Sequence, residues 1–330
     1  MQKFSIILPV KNGGDYAKAC VNSILNQTLN DFNLIVLDNC STDETVSWLK
    51  GLNDSRIIIY TAAEPMSMEA NWARVTTVVK NEFITIIGHD DILHPDYLET
   101  MDRLINNHPG ASLYQAHFKF IDSNGNFLRH CLPMKTKQYA HEFLDDQLNH
   151  SLDSTGTGYM MRSGDYDAVG GISPLYPNLI FADYELWMKL IMKNYKATAT
   201  AETFSYRLHN STSKLTNGEA YQEAFGRYML FLANCKTKDP AIGTVIEKFG
   251  KKMLLYYCQS LSHRLLKTES SARKTSVAAF IQQCRTYARL LIPDQPFRPM
   301  LKPGILAARL LDNPPGLMIF RLYKKIVAKK

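Results

Sequence analysis

The first 110 residues alternate between short apolar runs and helical patterns, and this constrains the fold more than any other feature. FSIILPV, FNLIVLD, RIIIY and EFITIIG read as strands. Between and after them come helices over 15–28, over STDETVSWLKGL, over 67–80 and over PDYLETMDRLINNH. The first helix sets Cys20, Val21, Ile24 and Leu25 on one side, and Ser41, Thr42 and Asp43 offer N-caps to the second. Pro95 suits the first turn of the fourth. Strands that are apolar throughout are buried on both faces. The pattern therefore predicts an α/β fold with a mostly parallel sheet covered by helices.

Ligands of such sheets bind beyond the carboxyl ends of the strands. Three polar clusters follow strands here: KNGG, DNCSTD and GHDD. A sheet parallel through these strands brings them to one edge. In the last cluster Asp90 and Asp91 are adjacent, and like charges held together out of water are costly. A divalent cation relieves that cost. Mg²⁺ and Mn²⁺ favour oxygen ligands, and Mg²⁺ is commonly held by one or two carboxylates plus substrate phosphates. The other reading of the pair is a solvated turn or helix cap ahead of Pro95.

Beyond residue 110 the pattern is mixed. SLYQAHFKFID and KATATAETFSYRLH alternate like strands, TGYMMR is a short strand, and DYELWMKLIMK is a helix with Leu186, Trp187, Leu190 and Ile191 on one face. From about residue 219 the chain reads as helices punctuated by prolines. The expected division is 1–215 and 216–330.

The formal charge of +7 is uneven: residues 241–330 hold 17 Lys plus Arg against 4 Asp plus Glu, leaving −6 on the first 240. A basic C-terminal region suits anionic lipid, nucleic acid or an acidic substrate. In PGLMIFRLYKKIVAKK, Leu317, Phe320 and Val327 follow helical spacing, while Arg321, Lys325 and Lys329 share another face. That suits a helix lying on an anionic membrane or packed on its own domain. No nucleic-acid reading motif accompanies the charge, so nucleic acid is not an expected partner. No apolar stretch has the length of a membrane span. MQKFSIILPV runs directly into KNGGD without a small-x-small cleavage site, so it reads as a strand rather than a signal peptide. The six cysteines show no C-x-x-C pair, which suits reduced thiols and a cytoplasmic compartment.

Taken together, SIILPVKNGGDYAKACVNSILNQTLNDFNLIVLDNCSTDET, EFITIIGHDDILHPDYLE, FADYELWMKL and YRLHNSTS resemble, in order, the segments of family 2 glycosyltransferases with the GT-A fold. The resemblance spans residues 3 to 215 and implies a GT-A nucleotide-binding domain followed by a helical extension. It implies inverting transfer from a nucleotide-sugar, taken as a UDP-sugar, to a saccharide or lipid-linked acceptor in surface polysaccharide or glycolipid synthesis. Pro9, Val10 and Asn12 would line the nucleoside pocket, and Asp38 would contact base or ribose. Asn39 stands where the family commonly has a second Asp, and its amide can both donate to and accept from a base edge. Asn71 and Arg74 would lie on the donor side, with Arg74 on a phosphate. Asp90 would contact ribose or donor sugar, and Asp91 would hold Mg²⁺ or Mn²⁺. His209 would join the metal or diphosphate.

Asp183 is the expected base, four residues before Trp187 and so at the start of that helix's inner face. It would take the proton of the acceptor hydroxyl. The residue before it is Ala182, where the family often has Glu. Two other readings compete: a nucleotidyltransferase acting on a sugar phosphate, and a non-catalytic nucleotide- or glycan-binding module. The reaction requires residues 91 and 183 in one cleft. The expected location is the cytoplasm, with the basic region suited to hold the protein peripherally on the cytoplasmic face of a membrane.

Overall fold

The computed structural model describes residues 2–208, 216–268 and 273–327, with the side chains of 321 and 323–327 left out. The chain divides into two compact units. Residues 1–175 with 182–211 form the first, and residues 176–181 with 212–330 the second.

The first unit is built on a ten-stranded sheet. β1 (Phe4–Val10), β2 (Phe32–Asp38), β3 (Ile57–Thr61) and β4 (Phe83–Ile86) are the four expected strands, and they pair in parallel. The path runs β3-β2-β1-β4 and continues through β9 (Met160–Arg162), β6 (Leu113–Ile121), β10 (Lys196–Arg207) and β5 (Ile92–Leu93). β9 is antiparallel to β4 and β6, while β6 and β10 are parallel. β7 (Phe127–His130) pairs with β6, and β8 (Lys137–Gln138) with β10, off this path.

The register puts the strand ends level. Val10 pairs with Asp38 and Asp38 with Thr61. Pairing of β1 with β4 stops at Ile7, whose carbonyl takes the Ile87 N–H at 3.0 Å. Pro9, the next residue in that ladder, has no N–H to continue it. The strands therefore splay beyond this point, and polar loops occupy the opening.

Helices α1 (Gly14–Leu25), α2 (Thr45–Gly51), α3 (Met68–Ala73) and α4 (Tyr97–Asn107) follow the four parallel strands. The apolar side of α1 is the buried one, including Cys20. α5 (Ala140–Asn149), α6 (Ser163–Ala168) and α7 (Ala182–Ile191) complete the unit. Three helices differ in their bounds from expectation. α2 begins at Thr45, because Ser41 and Thr42 bond Asn12 instead of capping it, and Asp43 takes the Thr45 N–H at 3.1 Å. The helix expected over 67–80 ends at Ala73 and tightens into a 3₁₀ turn over Arg74–Thr77. Val75, Thr76, Thr77 and Val78 form a β-branched run that disfavours the α-helix. Pro95 stands outside α4, whose N-cap is Asp96. Ile92 and Leu93 are drawn into the sheet against Ser205 and Phe204 before the helix can start.

The second unit is helical, as expected: α8 (Gly218–Lys238), α9 (Pro240–Lys267), α10 (Val277–Leu291), α11 (Pro303–Leu310) and α12 (Pro314–Val327). Phe181 stacks on Tyr228 at 5.3 Å, and Cys258 and Cys284 are buried between helices of this bundle. No helix among the described residues is long and apolar enough to cross a membrane.

Candidate active site

The loop after β1 fastens to the loop after β2. Asn12, at φ 52°, donates its N–H to Ser41 Oγ (2.9 Å) and accepts the Thr42 N–H on Oδ1 (2.7 Å). Gly13 and Gly14 donate to Thr45 Oγ1 and Asp43 Oδ2, both at 3.1 Å. Gly13 admits no side chain, since a Cβ there would lie 2.4 Å from Ala17 Cβ and 2.9 Å from Val10 Cγ2. This is why KNGG carries glycine where helix and strand meet.

Asp38 ends β2 and is 1% exposed. Its Oδ1 accepts the Ser41 N–H at 3.1 Å, but its buried Oδ2 has no hydrogen-bond partner. A buried acceptor without a donor is costly unless a ligand supplies one. Asn39 differs. Its amide donates to the Met66 carbonyl (2.8 Å) and accepts the Met66 N–H (2.9 Å). The side chain expected to read a base edge is thus engaged with the main chain.

Asn71 and Arg74 are likewise turned onto strand ends. Asn71 Nδ2 donates to the Leu37 carbonyl at 3.0 Å. Arg74 donates to the Asp38 carbonyl (3.0 Å), Asn71 Oδ1 (2.8 Å) and the Tyr60 carbonyl (2.7 Å). Its guanidinium buckles β2 to β3, and partial burial pulls its pKa down.

The two adjacent aspartates occupy different surroundings. Asp91 is 1% exposed; Thr157 Oγ1 donates to its Oδ2 (2.6 Å), and the Arg207 N–H donates to its Oδ1 (3.0 Å). Burial, then the neighbouring Asp90 charge, push its pKa well above the usual carboxylate range. Asp90 is only half-buried. Its Oδ1 lies 2.7 Å from where a Cβ on Gly88 would stand, so only glycine fits beside it. Among the described residues no group of three or more His, Cys, Asp or Glu is arranged to enclose a metal. A half-buried carboxylate beside a sealed one fits a cation that also draws ligands from substrate phosphates.

Asp183 lies in the first turn of α7. Burial raises its pKa to about 6, against the N–H groups of Tyr184 and its own backbone, which pull the other way. One loop reaches both carboxylates. Thr157 bonds Asp91, and a Cβ on the preceding Gly156 would lie 3.9 Å from Asp183 Oδ2. Thr155 closes the loop by bonding the Thr157 carbonyl (2.8 Å), and Trp187 Nε1 donates to the Thr155 carbonyl (3.1 Å). Tyr159 stacks on Trp187 at 4.2 Å. The 155–157 loop therefore brings residues 91 and 183 to one place. Tyr206 marks it: burial raises its hydroxyl pKa, and the charges of Asp91, Asp90 and Asp183 all add to that.

Tyr206, Thr157 and Arg207 were not singled out by sequence reasoning. Arg207 bonds the Asp90 carbonyl (2.7 Å) through Nε and the Asp122 carbonyl (3.0 Å) through a terminal nitrogen. It pins the aspartate loop to the end of β10. Its signal was position, two residues before His209. Thr157 sits in TGTG, where Gly158 has φ 79° and abuts the Phe204 ring. His209 lies outside the described residues.

Such a sheet, with carboxylates at its parallel edge, is the fold of a GT-A transferase. The model of glycosyl transferase family 2 matches residues 5–169, half of the chain, and the protein belongs to that family. It is therefore a glycosyltransferase, which decides against the other two readings. An uncharacterized glycosyltransferase of Methanocaldococcus jannaschii is 27% identical over 64% of this chain and 73% of its own length. Glycosyltransferase GlyG of Streptococcus pneumoniae is 27% identical over 37% of this chain and 42% of its own. Among solved structures, S. aureus TarS in complex with UDP-GlcNAc aligns with 98% of this chain and 92% of that one (TM-score 0.68, 16% identity). The mannosyltransferase PcManGT of Pyrobaculum calidifontis, with GDP-Man and Mn²⁺, aligns with 94% and 86% (TM-score 0.51, 14% identity). At these identities the structures establish the fold.

Proposed function

We propose that the protein transfers a sugar from a UDP-sugar to a saccharide or lipid-linked acceptor, with inversion, in surface polysaccharide or glycolipid synthesis. The observation that carries this reading is the loop that reaches both carboxylates, with Thr157 bonded to Asp91 and Gly156 abutting Asp183. Asp38 Oδ2 supports the donor assignment, because a base N–H would satisfy it. Pro9, Val10 and Asn12 would line the nucleoside side in this reading. Asn39, Asn71 and Arg74 hold the strand ends and so position Asp38. The TarS and PcManGT structures, with UDP-GlcNAc and with GDP-Man and Mn²⁺, are compatible precedents.

A divalent cation, Mg²⁺ or Mn²⁺, would be held by Asp90, with Asp91 behind it. Bound there, it would offset the charge gathering on the leaving diphosphate. This exchanges the roles first expected of the two aspartates, because both oxygens of Asp91 already accept protein hydrogen bonds. Asp183 takes the acceptor hydroxyl proton as that oxygen bonds the anomeric carbon. The carbon's bond to the phosphate oxygen breaks, and the nucleoside diphosphate leaves. A pKa of about 6 keeps Asp183 ionised at neutral pH and makes it a stronger base than an exposed aspartate. His209 completes the diphosphate side in this reading. In this reading the enzyme lies on the cytoplasmic face of an anionic membrane, a location that the excess of Lys and Arg in residues 241–330 supports.

A screen of nucleotide-sugars tests this, reading metal-dependent thermal stabilisation and release of nucleoside diphosphate. UDP-sugars should stabilise the protein and be turned over. A protein stabilised by none, or one releasing pyrophosphate from a nucleoside triphosphate, refutes the assignment.

A further inference from the structure

The helical unit contains a second concave site. Lys248, Lys252, Tyr256, Gln259 and His263 recur at intervals of three or four along one face of α9, with Lys251 beside them, and with Lys302 they line a groove of about 770 Å³. The start of α11 forms the facing wall. His263 Nε2 bonds the Gly304 carbonyl at 3.0 Å, and a Cβ on Gly304 would come within 2.6 Å of Gln259. Glycine there lets the two elements close on each other. Among the described residues no carboxylate lines the groove. A wall with four lysines and no acid repels cations and attracts anions strongly enough to select for them.

The helices that follow Lys302 carry exposed apolar side chains. Leu301, adjacent to Lys302, is 74% exposed, and Leu310, Met318 and Ile319 are each at least 60% exposed. Leu306 and Leu322 join them. A soluble anion would use the lysines and leave this row without a role. A bilayer uses both, taking apolar side chains below its headgroups and cationic ones against its phosphates.

We propose that this groove receives the phosphate headgroup of an anionic phospholipid, with the exposed apolar row of residues 301–322 entering the bilayer beside it. The proposal rests on the peripheral placement above and names the residues that would achieve it. None of them belongs to the transfer site.

The test is flotation of the full chain with vesicles of phosphatidylcholine alone, or of phosphatidylcholine with phosphatidylglycerol. The protein should float only with the anionic vesicles. The variant Lys251→Glu/Lys252→Glu/Lys302→Glu should bind them about a hundredfold more weakly or worse. In the unmodified protein, anionic vesicles should slow acetylation of Lys251, Lys252 and Lys302, which decides the matter even if the variant folds poorly. Equal flotation of variant and parent, or unslowed acetylation, overturns the groove while leaving peripheral placement standing. Absence of flotation overturns both. Displacement from vesicles by polyphosphate or inorganic phosphate at matched phosphate concentration assigns the groove to a soluble anion and also overturns the proposal. Turnover of donor with a soluble acceptor should be the same in variant and parent, so the transferase reading is judged separately.

Discussion

Asp91, Lys196 and Arg207 of the α/β unit are 1%, 0% and 7% exposed, whereas Lys248, Lys252 and Lys302 of the helical unit stand in solvent. The first group is held by specific partners: Thr157 and a backbone N–H on Asp91, Gln115 on Lys196, main-chain carbonyls on Arg207. The helical unit has a buried pair of its own, Arg273 with Asp312, but its charge lies mainly outside. Inward charges are expensive and fix geometry, which chemistry needs. Outward charges cost little and set a field, which a surface partner needs. The contrast predicts that substitutions in the first unit move rates and stability, while those in the second move association alone.

The largest effect should come from Asp183→Asn. Loss of a general base should lower turnover by about 10²–10⁴-fold while UDP-sugar affinity stays near the parent value. In the parent, turnover should fall as pH drops through about 6, the Asp183 value. That value is above the unfolded carboxylate's 3.8, so the folded protein holds an extra proton between them. Folding is then penalised fully only above about 6, and Asp183→Asn should raise neutral-pH stability on the order of 1 kcal/mol, discounted for partial exposure. A variant that loses both turnover and stability would make Asp183 a structural residue.

Lys196 sharpens the contrast further. It is buried at the start of β10, its Nζ donates to Gln115 Oε1 at 2.8 Å, and burial lowers its pKa from 10.5 to about 7. Between those values the unfolded chain holds a proton that the folded one has shed, so stability rises with pH across that window. Below 7 the full cost of a buried charge is present. Lys196→Met should therefore stabilise by on the order of 1–4 kcal/mol below pH 7 and by much less near pH 10. Denaturant midpoints at both pH values would show it, and an equal effect at both would mean that Lys196 is not desolvated.

The aspartate pair brings the contrast down to neighbouring residues. Asp90→Asn should weaken metal-dependent donor binding by about 10–100-fold with unfolding unchanged. Asp91→Ala should cost about 1–3 kcal/mol of stability, because it strands the Thr157 hydroxyl and the Arg207 N–H. The reverse outcome, measured by titration calorimetry and chemical unfolding, would restore the metal to Asp91.

This pair also marks how far the sequence could be read. The apolar runs and the polar clusters after them were legible because a parallel sheet is buried on both faces and binds ligands at one end. Which of two adjacent aspartates faces the cleft was not, since it depends on Thr157 and the Arg207 backbone, 66 and 116 residues away. Asn39 and Arg74 had the chemistry for base and phosphate, but residues 60–66 supply main-chain partners that spacing does not reveal. In the helical unit the charge was legible as a total. The groove required knowing that 248–263 form one uninterrupted helix facing Lys302.

The smallest expected effect is the one that most directly tests the outward half of the contrast. Lys252 and Lys302 are exposed, and among the described residues no carboxylate shares their groove. Lys252→Glu/Lys302→Glu should change unfolding free energy by no more than about 0.5 kcal/mol per site, the range of ordinary surface substitutions. If like-charge repulsion along α9 matters, the change should be a slight stabilisation that fades with added salt. A loss several times larger would mean that these lysines brace the helices, and the helical unit would then use charge as the sheet unit does.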